Sequence, residues 1–287
     1  MITSLAFSLL VLLFTSGLVV AESKNLTFGL VSGTSAFFEP THHGWYDKCE
    51  QLGVNCLYLI PDWEAFDTEK YNHPCEQEFD ELIKLKVDGI AATCSYNAVD
   101  VFQEASDAGI PVVTFDTSPP DTIPHDAYVG TDQRFLGRTL GRLLRQLRPE
   151  GGTFAIINNE EDDAQNLRVE GFMEEIMKDN DRDDRAHWHA VERNFIYESK
   201  EPMEPMELYA LLNPTAMITM YQTPMRHPNW TDFVDVNRHR NITYVGTDGS
   251  DYQLSYLSRR YVDGLVGQLP YDFGAKSAEV LYELATG

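Results

Sequence analysis

Seven residues follow short apolar runs of the sequence or open the helical pattern after one, and their side-chain types suit a small polyol. Carboxylates and planar amides form hydrogen bonds with hydroxyl groups, and a guanidinium donates a fixed fork of hydrogen bonds. Aromatic rings pack on the C–H faces of a sugar ring. The residues are Phe37, Phe38, Asp116, Arg168, Gln222, Asp248 and Gln268. They predict a binding site for a small hydroxylated ligand.

Each of these residues also has an interpretation that needs no ligand. The two phenylalanines could simply pack the first helix on its sheet. Arg168 could form a surface ion pair with Glu170 or with the acidic run at residues 160–163, and such a pair contributes little to stability. The two aspartates could cap the turns that follow them. Sequence alone leaves these alternatives open.

Catalytic motifs are missing from the sequence. It contains no G-x-S-x-G, no G-x-G-x-x-G after the first apolar run, no P-loop and no H-E-x-x-H. The clusters His42-His43 and His187-x-His189 lack a third metal ligand, and the acidic run lacks the ligand spacing of a calcium loop. The two aspartates could form a glycosidase pair only at a suitable separation. We expect a binding protein without catalytic residues, metal or cofactor.

Short apolar runs alternate with amphipathic helical patterns from residue 24 onward, as in repeated βα units around a parallel sheet. One stripe of leucines, from Leu136 to Leu147, predicts a helix that ends at Pro149. In such an α/β fold, ligands bind at the carboxyl ends of the strands. The predicted strands are Leu26–Val31, Asn55–Ile60, Gly89–Ala92, Ile110–Phe115, Thr153–Ile157, Ala216–Met220, Ile242–Val245 and Gly264–Val266.

Composition excludes several classes of protein. The chain has 287 residues, of which 43% are hydrophobic, so it can bury a core. Its length predicts one large α/β unit or two lobes. With 22 basic and 45 acidic residues, its net charge is -23. Binding to phosphate backbones requires clustered Lys and Arg, so we expect no nucleic-acid partner.

The first 21 residues carry no charge and predict a secretory signal peptide, with Val19 and Ala21 as the small residues before the cleavage site. A signal anchor that stays attached is the alternative. No second hydrophobic stretch follows, so the mature protein is expected to be exported to the periplasm or the extracellular space. Three N-x-T sequons, at Asn25, Asn229 and Asn241, are candidate glycosylation sites.

Four cysteines lie in the first third of the chain, at Cys49, Cys56, Cys75 and Cys94. In an oxidising compartment they favour disulfides over a metal site. Three pairings are conceivable, and buried free thiols are a further alternative. We favour Cys49 with Cys56, because the end of a predicted helix and the next strand meet where the helix packs on the sheet, and therefore Cys75 with Cys94.

Seven segments spread over nearly the whole mature chain carry a family resemblance. They are TFGLVSGTSAFFEPTHHGWYDKCEQLGVN, VDGIAATCSYNAV, AGIPVVTFDT, AYVGTDQRFLGRTLGRLL, NLRVEGFMEEI, ITYVGTDGS and VGQLPYDFGAKSAEVLYELATG. In this order they resemble the type I periplasmic sugar-binding proteins, in the ribose- and galactose-binding branch. The motifs R-x-x-G-F, V-G-x-D and G-Q-x-P-Y-x-x-G are more specific together than any one alone.

The resemblance implies two Rossmann-like lobes with parallel sheets, joined by a hinge and closing on one ligand. Its implied domains are a signal peptide at 1–21, an N-terminal lobe at 24–127 plus 269–287, and a C-terminal lobe at 128–268. It also implies that Phe37 and Phe38 stack on a sugar ring and that the other five residues bind hydroxyls or the ring oxygen. Gln222 stands where the family often has Asn, which weakens its assignment, and Ser35 stands where some sugar binders have Asn.

The expected function is an exported solute-binding protein that captures a monosaccharide or a similar ligand for uptake or sensing, with a membrane transporter or receptor as partner. The alternative is the extracellular ligand-sensing domain of a membrane receptor. Family members continue beyond the helix at which this chain stops, so we expect it to be a fragment, a truncated form or part of a longer protein. The resemblance extends to the ligand-binding core of LacI-type repressors, which would need an N-terminal DNA-binding motif.

Overall fold

A computed structural model describes the chain at residues 25–33, 35–62, 64–71, 73–93, 99–117, 119–120, 122–160, 162–178, 187–192 and 203–287. The predicted signal peptide and Cys94 lie outside these residues. Within them, no helix is both long and apolar enough to cross a membrane.

The described strands form two parallel sheets with the same topology. The first sheet has the order β2-β1-β3-β4-β5 and the second has the order β7-β6-β8-β9-β10. In each sheet, the first strand along the chain occupies the second position in the sheet. The next strand along the chain pairs with it and forms the edge of the sheet. The strands are β1 Thr27–Val31, β2 Asn55–Leu59, β3 Gly89–Ala92, β4 Val112–Phe115, β5 Ala127–Val129, β6 Gly152–Ile157, β7 Trp188–Glu192, β8 Ala216–Thr219, β9 Thr243–Thr247 and β10 Gly264–Val266.

Helices connect most of these strands, since parallel neighbours are joined by crossover connections. The helices are α1 Glu39–Leu52, α2 Pro74–Leu85, α3 Val99–Asp107, α4 Gln133–Leu147, α5 Asp163–Met177, α6 Met203–Leu211, α7 Thr223–Arg226, α8 Trp230–Asn237, α9 Asp251–Ser258 and α10 Pro270–Thr286, with a short 3-10 turn at Arg238–Arg240. The predicted α/β fold with two Rossmann-like lobes is therefore confirmed.

Helix α4 shows how the sequence defines these elements. Its N-cap residue Asp132 accepts a hydrogen bond from the backbone N–H of Phe135 at 2.8 Å, which satisfies one of the free donors at the helix start. Leu136, Leu140 and Leu144 are buried along one stripe of the helix, as the leucine spacing predicts. The helix ends before Pro149, which disfavours helical backbone in the residue before it.

The chain crosses between the lobes in two short segments, at residues 130–132 and 267–269. Helix α4 follows the first crossing and packs on α5, β9 and β10 of the second lobe. Helix α10 follows the second crossing and returns to α1, β3, β4 and β5 of the first lobe. The predicted lobe boundary between residues 127 and 128 falls inside β5, whose residues pair with β4.

Each crossing helix packs against the helix that follows the first strand of its lobe, and a pair of glycines lies at the contact. In the second lobe, a Cβ on Gly137 would overlap the carbonyl oxygen of Arg168, and one on Gly171 would overlap that of Arg134. The first lobe repeats the arrangement with Gly44 of α1 and Gly274 of α10, which lie against backbone oxygens of the opposite helix. Because glycine has no side chain, the two helix backbones come into direct contact. This contact sets the distance between α4 and α5.

Two strands have no counterpart among the sequence predictions, and both lie at sheet edges. The three residues of β5 are all half-buried, and β7 begins with buried Trp188 but exposes His189 and Ala190. Apolar runs reveal strands that are covered on both faces. β5 is short and half-buried, and β7 is partly exposed, so neither shows that signal.

Cys49 and Cys56 form a disulfide that links the end of α1 to β2, with their Cα atoms 6.2 Å apart. Cys75, at the start of α2, is also disulfide-bonded. Because Cys94 lies outside the described residues, its pairing with Cys75 stays a prediction.

The glycine contact between α4 and α5 predicts a large effect of one added methyl group. Gly137→Ala should lower the free energy of unfolding by about 1–3 kcal/mol, because the neighbouring atom is backbone and cannot rotate away. Urea denaturation followed by circular dichroism measures the change. Gly249→Ala is the matched control, since the nearest atom to its Cβ would lie 4.0 Å away. Equal stability of the two variants would contradict the close packing.

The disulfide prediction is checked by peptide mapping of the non-reduced secreted protein. We expect one linked peptide pair that contains Cys49 and Cys56 and a second that contains Cys75 and Cys94. A free thiol at Cys94, or a crossed pairing, would disprove the second assignment.

Candidate ligand-binding site at the carboxyl ends of the sheets

The predicted site residues lie at the carboxyl ends of strands from both sheets or at the starts of the helices that follow. Asp116 follows β4 of the first lobe, whereas Gln222 and Asp248 follow β8 and β9 of the second lobe. Gln268 lies in the second crossing segment, and Arg168 lies in α5. In parallel α/β sheets this edge is the usual position of a ligand.

Arg168 is buried, with 7% of its surface exposed. Its Nε donates a hydrogen bond to Oε1 of Gln133 at 2.7 Å. One Nη donates to the carbonyl oxygen of Met220 at 2.7 Å and lies 3.5 Å from Oγ1 of Thr247. These partners come from α4 and from the ends of β8 and β9, so the guanidinium is held by three elements of one lobe.

Among the described residues, Arg168 forms no ion pair with Glu170 or with the acidic run. Glu170 pairs with Arg134 of α4 instead, and the part of the acidic run that the structure describes serves another purpose. Asp162 is the N-cap of α5 and accepts hydrogen bonds from the backbone N–H and Nε2 of Gln165, at 3.0 and 2.9 Å. Arg168 therefore points inward on a helix whose start is fixed by capping.

Asp248 is nearly inaccessible, with 4% of its surface exposed. Its Oδ1 accepts a hydrogen bond from Nε2 of Gln268 at 3.0 Å. Its backbone N–H donates a hydrogen bond to the carbonyl oxygen of Val266 at 2.9 Å. The pKa of Asp248 is raised chiefly by burial, while Arg168 and the hydrogen bonds from Gln268 and Thr247 act in the opposite direction. Ser250 is the N-cap residue of α9.

Asp116 faces the same region from the first lobe. The hydroxyl of Tyr128 donates a hydrogen bond to its carbonyl oxygen at 2.9 Å, and Oγ1 of Thr117 lies 3.5 Å from its carboxylate. Burial raises the pKa of Asp116 to about 7, Arg168 opposes that rise, and Asp248 and Asp162 add to it. A carboxylate of the first lobe thus interacts electrostatically with charges of the second.

Both aspartates adopt a left-handed backbone conformation. The φ angle is 65° at Asp116 and 75° at Asp248. Residues other than glycine rarely occupy this region, although Asp tolerates it better than most. The same backbone feature at equivalent strand ends of the two lobes places a carboxylate on each side of the site.

Phe37 and Phe38 lie just before α1 and are half-buried. Their rings are 5.0 Å apart in an edge-to-face arrangement, and Phe38 lies 6.3 Å from Phe115 while Phe37 lies 6.3 Å from Phe273. They therefore pack on the first-lobe core and also expose part of each ring. Both interpretations of these residues agree with this position.

Gln222 is tied to the loop after β9. Its Oε1 accepts hydrogen bonds from the hydroxyl of Tyr252 at 2.8 Å and from Oγ of Ser250 at 3.2 Å. These bonds occupy the acceptor of its amide, so the side chain holds the loop as well as lining the site.

Sequence reasoning missed Gln133 as a site residue and noted Asn158 only as polar. Gln133 is 6% exposed and Asn158 is 1% exposed. Within the described part of the chain, Nε2 of Gln133, Oδ1 of Asn158 and Oε1 of Gln268 have no hydrogen-bond partner. Buried polar atoms without partners are costly, and a hydroxylated ligand at these strand ends would supply them with partners. The signal for Gln133 was available, since it directly follows the N-cap Asp132 of a crossing helix.

The remaining candidates are the metal-binding clusters, the histidine clusters and the glycosylation sites. Among the described residues, no group of three or more His, Cys, Asp or Glu side chains could hold a metal ion. His43 and His189 are exposed, and the ring of His42 stacks on Tyr58 at 4.0 Å. The three sequon asparagines, Asn25, Asn229 and Asn241, are all exposed.

The chain matches a known protein family over most of its length. The family described as periplasmic binding protein domain matches residues 28–287. The chain belongs to this family. Members are solute-binding proteins, which agrees with a site built from hydrogen-bonding groups at a lobe interface. No curated protein sequence matches the chain.

Solved structures show the same family fold. A glucose-galactose binding protein from Geobacillus stearothermophilus has 23% identity and a TM-score of 0.72, over 92% of both chains. An ABC transporter solute-binding protein from Burkholderia graminis, in complex with D-arabinose, has 20% identity and a TM-score of 0.75, over 93% of this chain and 91% of its own. One from Bacillus halodurans with bound myo-inositol has 18% identity and a TM-score of 0.72, over 93% and 91%.

The raised pKa of Asp116 predicts how stability depends on pH. Its pKa is about 7 in the folded protein and about 3.9 in an unfolded chain. Between these values the folded state binds more protons, so this residue makes stability fall as pH rises from about 4 to about 7. Asp116→Asn keeps the shape but cannot ionise. It should therefore be more stable than the unmodified protein above about pH 7, with the difference shrinking toward about pH 4.

Urea midpoints over this pH range measure the difference. Since one pKa unit corresponds to about 1.4 kcal/mol, we expect an effect of a few kcal/mol at most. Asp251→Asn, at an exposed aspartate of α9, controls for the lost negative charge and should follow the unmodified protein at every pH. A difference for Asp116→Asn that does not vary with pH would contradict the raised pKa.

Proposed function

We propose that the protein captures a small sugar-like ligand between its two lobes, as an exported solute-binding protein for uptake or sensing. One observation carries the proposal: polar side chains lie at the carboxyl ends of both sheets, with Asp116 after β4 in the first lobe and Arg168 hydrogen-bonded at the ends of β8 and β9 in the second. The ligand would join groups that belong to different lobes.

The chemistry of these groups suits hydroxyls. Asp116 and Asp248 accept hydrogen bonds, Arg168 donates them, and the amides of Gln133, Asn158 and Gln268 do either. The free amide atoms would gain partners when a polyol binds, which removes the cost of leaving them unsatisfied. Phe37 and Phe38 expose ring surface on which the C–H face of a sugar could pack.

Closure follows from contact with both lobes. A ligand that touches Asp116 on one side and Arg168 on the other binds the closed form more tightly than the open form, so it shifts the population toward closure. The two crossing segments, at residues 130–132 and 267–269, are where the backbone would bend. The closed shape is then the signal for a membrane transporter or receptor.

Export is part of the proposal. Residues 1–21 would direct the chain to a secretory route, and the disulfide between Cys49 and Cys56 is stable in the oxidising compartment at its end. The neighbours with bound D-arabinose, D-allose and myo-inositol support a pentose, hexose or cyclitol as the class of ligand.

The proposal is tested by a thermal-shift screen of the secreted protein with pentoses, hexoses, deoxy sugars and cyclitols, followed by calorimetry on each compound that raises the melting temperature. A ligand present well above its Kd stabilises the folded state by mass action. Arg168→Gln should weaken binding at least about tenfold, because hydrogen bonds from charged groups contribute about 1.5–3 kcal/mol.

Arg259→Gln is the matched control, since Arg259 is exposed in the same lobe, and it should bind as the unmodified protein does. Circular dichroism checks that both variants are folded. The proposal fails if no compound stabilises the folded protein, or if Arg168→Gln binds as tightly as the control.

A further inference from the structure

The guanidinium of Arg168 is the charged donor of the proposed site, and two of its three nitrogens are engaged. Nε donates a hydrogen bond to Oε1 of Gln133 at 2.7 Å. One Nη donates to the carbonyl oxygen of Met220 at 2.7 Å, while Oγ1 of Thr247 lies 3.5 Å away, too far for a strong hydrogen bond. Because the guanidinium is planar and its donors form a rigid fork, these contacts fix the direction of the remaining Nη.

The remaining Nη of Arg168 is the donor that a ligand can reach. It has no hydrogen-bond partner among the described residues, and it is not one of the fully buried polar atoms that lack partners. It therefore keeps some of the 7% of the Arg168 surface that is exposed. A hydrogen bond from a charged donor is stronger than one from a neutral donor, so the direction of this nitrogen affects how tightly a hydroxylated ligand binds.

Gln133 is the strong contact of Arg168 that a side chain supplies. Met220 contributes a backbone carbonyl oxygen, which no substitution removes. Within the described part of the chain, the hydrogen bond to Arg168 is also the single one that the side chain of Gln133 forms, since its Nε2 has no partner. Both residues are buried, with 6% of Gln133 and 7% of Arg168 exposed, so water is largely excluded from the hydrogen bond that joins them.

The backbone around Gln133 holds this acceptor in place. Gln133 is the first residue of α4 and follows the N-cap residue Asp132, which ends the first crossing segment. One turn further along the same face of α4, Gly137 lies against the backbone carbonyl oxygen of Arg168. The backbones that carry the two side chains are therefore packed together, and the hydrogen bond connects Arg168 to the point where the chain enters the second lobe.

We propose that Gln133 is a positioning residue for ligand binding: its Oε1 holds Nε of Arg168, and this aims the free Nη at the ligand between the lobes. The inference rests on the proposed function and adds a residue that determines affinity. Without this acceptor the guanidinium would be free to turn, and the carboxylates of Asp116 and Asp248, which attract it, would compete for its donors. Gln133 is neutral, so it holds the cation without cancelling the charge.

The test is a double-mutant cycle, with binding measured by calorimetric titration of the secreted protein. The probe is the compound that binds most tightly among D-ribose, D-arabinose, D-glucose, D-galactose, D-allose and myo-inositol. Gln133→Leu removes the acceptor and keeps a similar side-chain size, so Kd should rise about tenfold or more. In the Arg168→Gln background the same substitution should raise Kd only a few fold, because only a direct contact of Nε2 with the ligand remains to be lost.

Two further variants distinguish positioning from a structural role. Gln133→Glu keeps an acceptor oxygen at the same place and should bind more tightly than Gln133→Leu does. Gln146→Leu carries the same substitution at an exposed position of the same helix and should bind as the unmodified protein does. Circular dichroism and melting curves show that each variant is folded at the temperature of the titration. Gln133→Ala takes the place of Gln133→Leu in the cycle if the latter does not fold.

The outcomes separate this inference from the proposed function. If the probe binds and the loss of the Gln133 acceptor weakens binding equally in both backgrounds, the positioning role is overturned and the proposed function stands. The same conclusion follows if the variant without the acceptor binds as tightly as Gln146→Leu, or if Gln133→Glu binds no better than that variant. If no polyol binds, the proposed function fails and the inference fails with it.

Discussion

The buried guanidinium of Arg168 is the group on which the arrangement of the site depends. A charge taken out of water is costly unless its donors are satisfied, and Arg168 satisfies the donors of its Nε and of one Nη with Gln133, Met220 and Thr247. These acceptors lie on the crossing helix and at the ends of two strands. Keeping the cation buried therefore fixes the distance between α4, α5 and the second sheet.

The glycine contacts make that distance short. Gly137 and Gly171 let the backbones of α4 and α5 touch beside Arg168 itself, and Gly44 and Gly274 repeat the contact in the first lobe. Each crossing helix is thus packed as a rigid part of the lobe it enters. Bending is left to the short segments between β5 and α4 and between β10 and α10, which is what two lobes closing about a hinge require.

Electrostatics across the interface connects closure with ligand binding. Asp116 and Asp248 sit on positive-φ backbone at the ends of β4 and β9, and burial raises the pKa of both. Conformations and charges that are unfavourable without a partner often occur at functional sites. In the proposed function, a ligand that satisfies these carboxylates would recover that free energy, and it would do so by contact with both lobes.

The sequence by itself determined the α/β class, the strands buried on both faces, the leucine stripe of α4 and the polar residues at strand ends, because periodicity and local capping depend on neighbours along the chain. The strands β5 and β7 lacked that signal because β5 has only three half-buried residues and β7 exposes His189 and Ala190. Only the tertiary structure decided that Arg168 turns to Gln133 and not to Glu170, and that Asp248 meets Gln268. It also revealed that Gln133 accepts a hydrogen bond from Arg168 and that Asp162 is a helix cap. Those contacts join residues up to 35 positions apart, and burial, which sets their charges and partners, is a property of the packed lobes and not of any local segment.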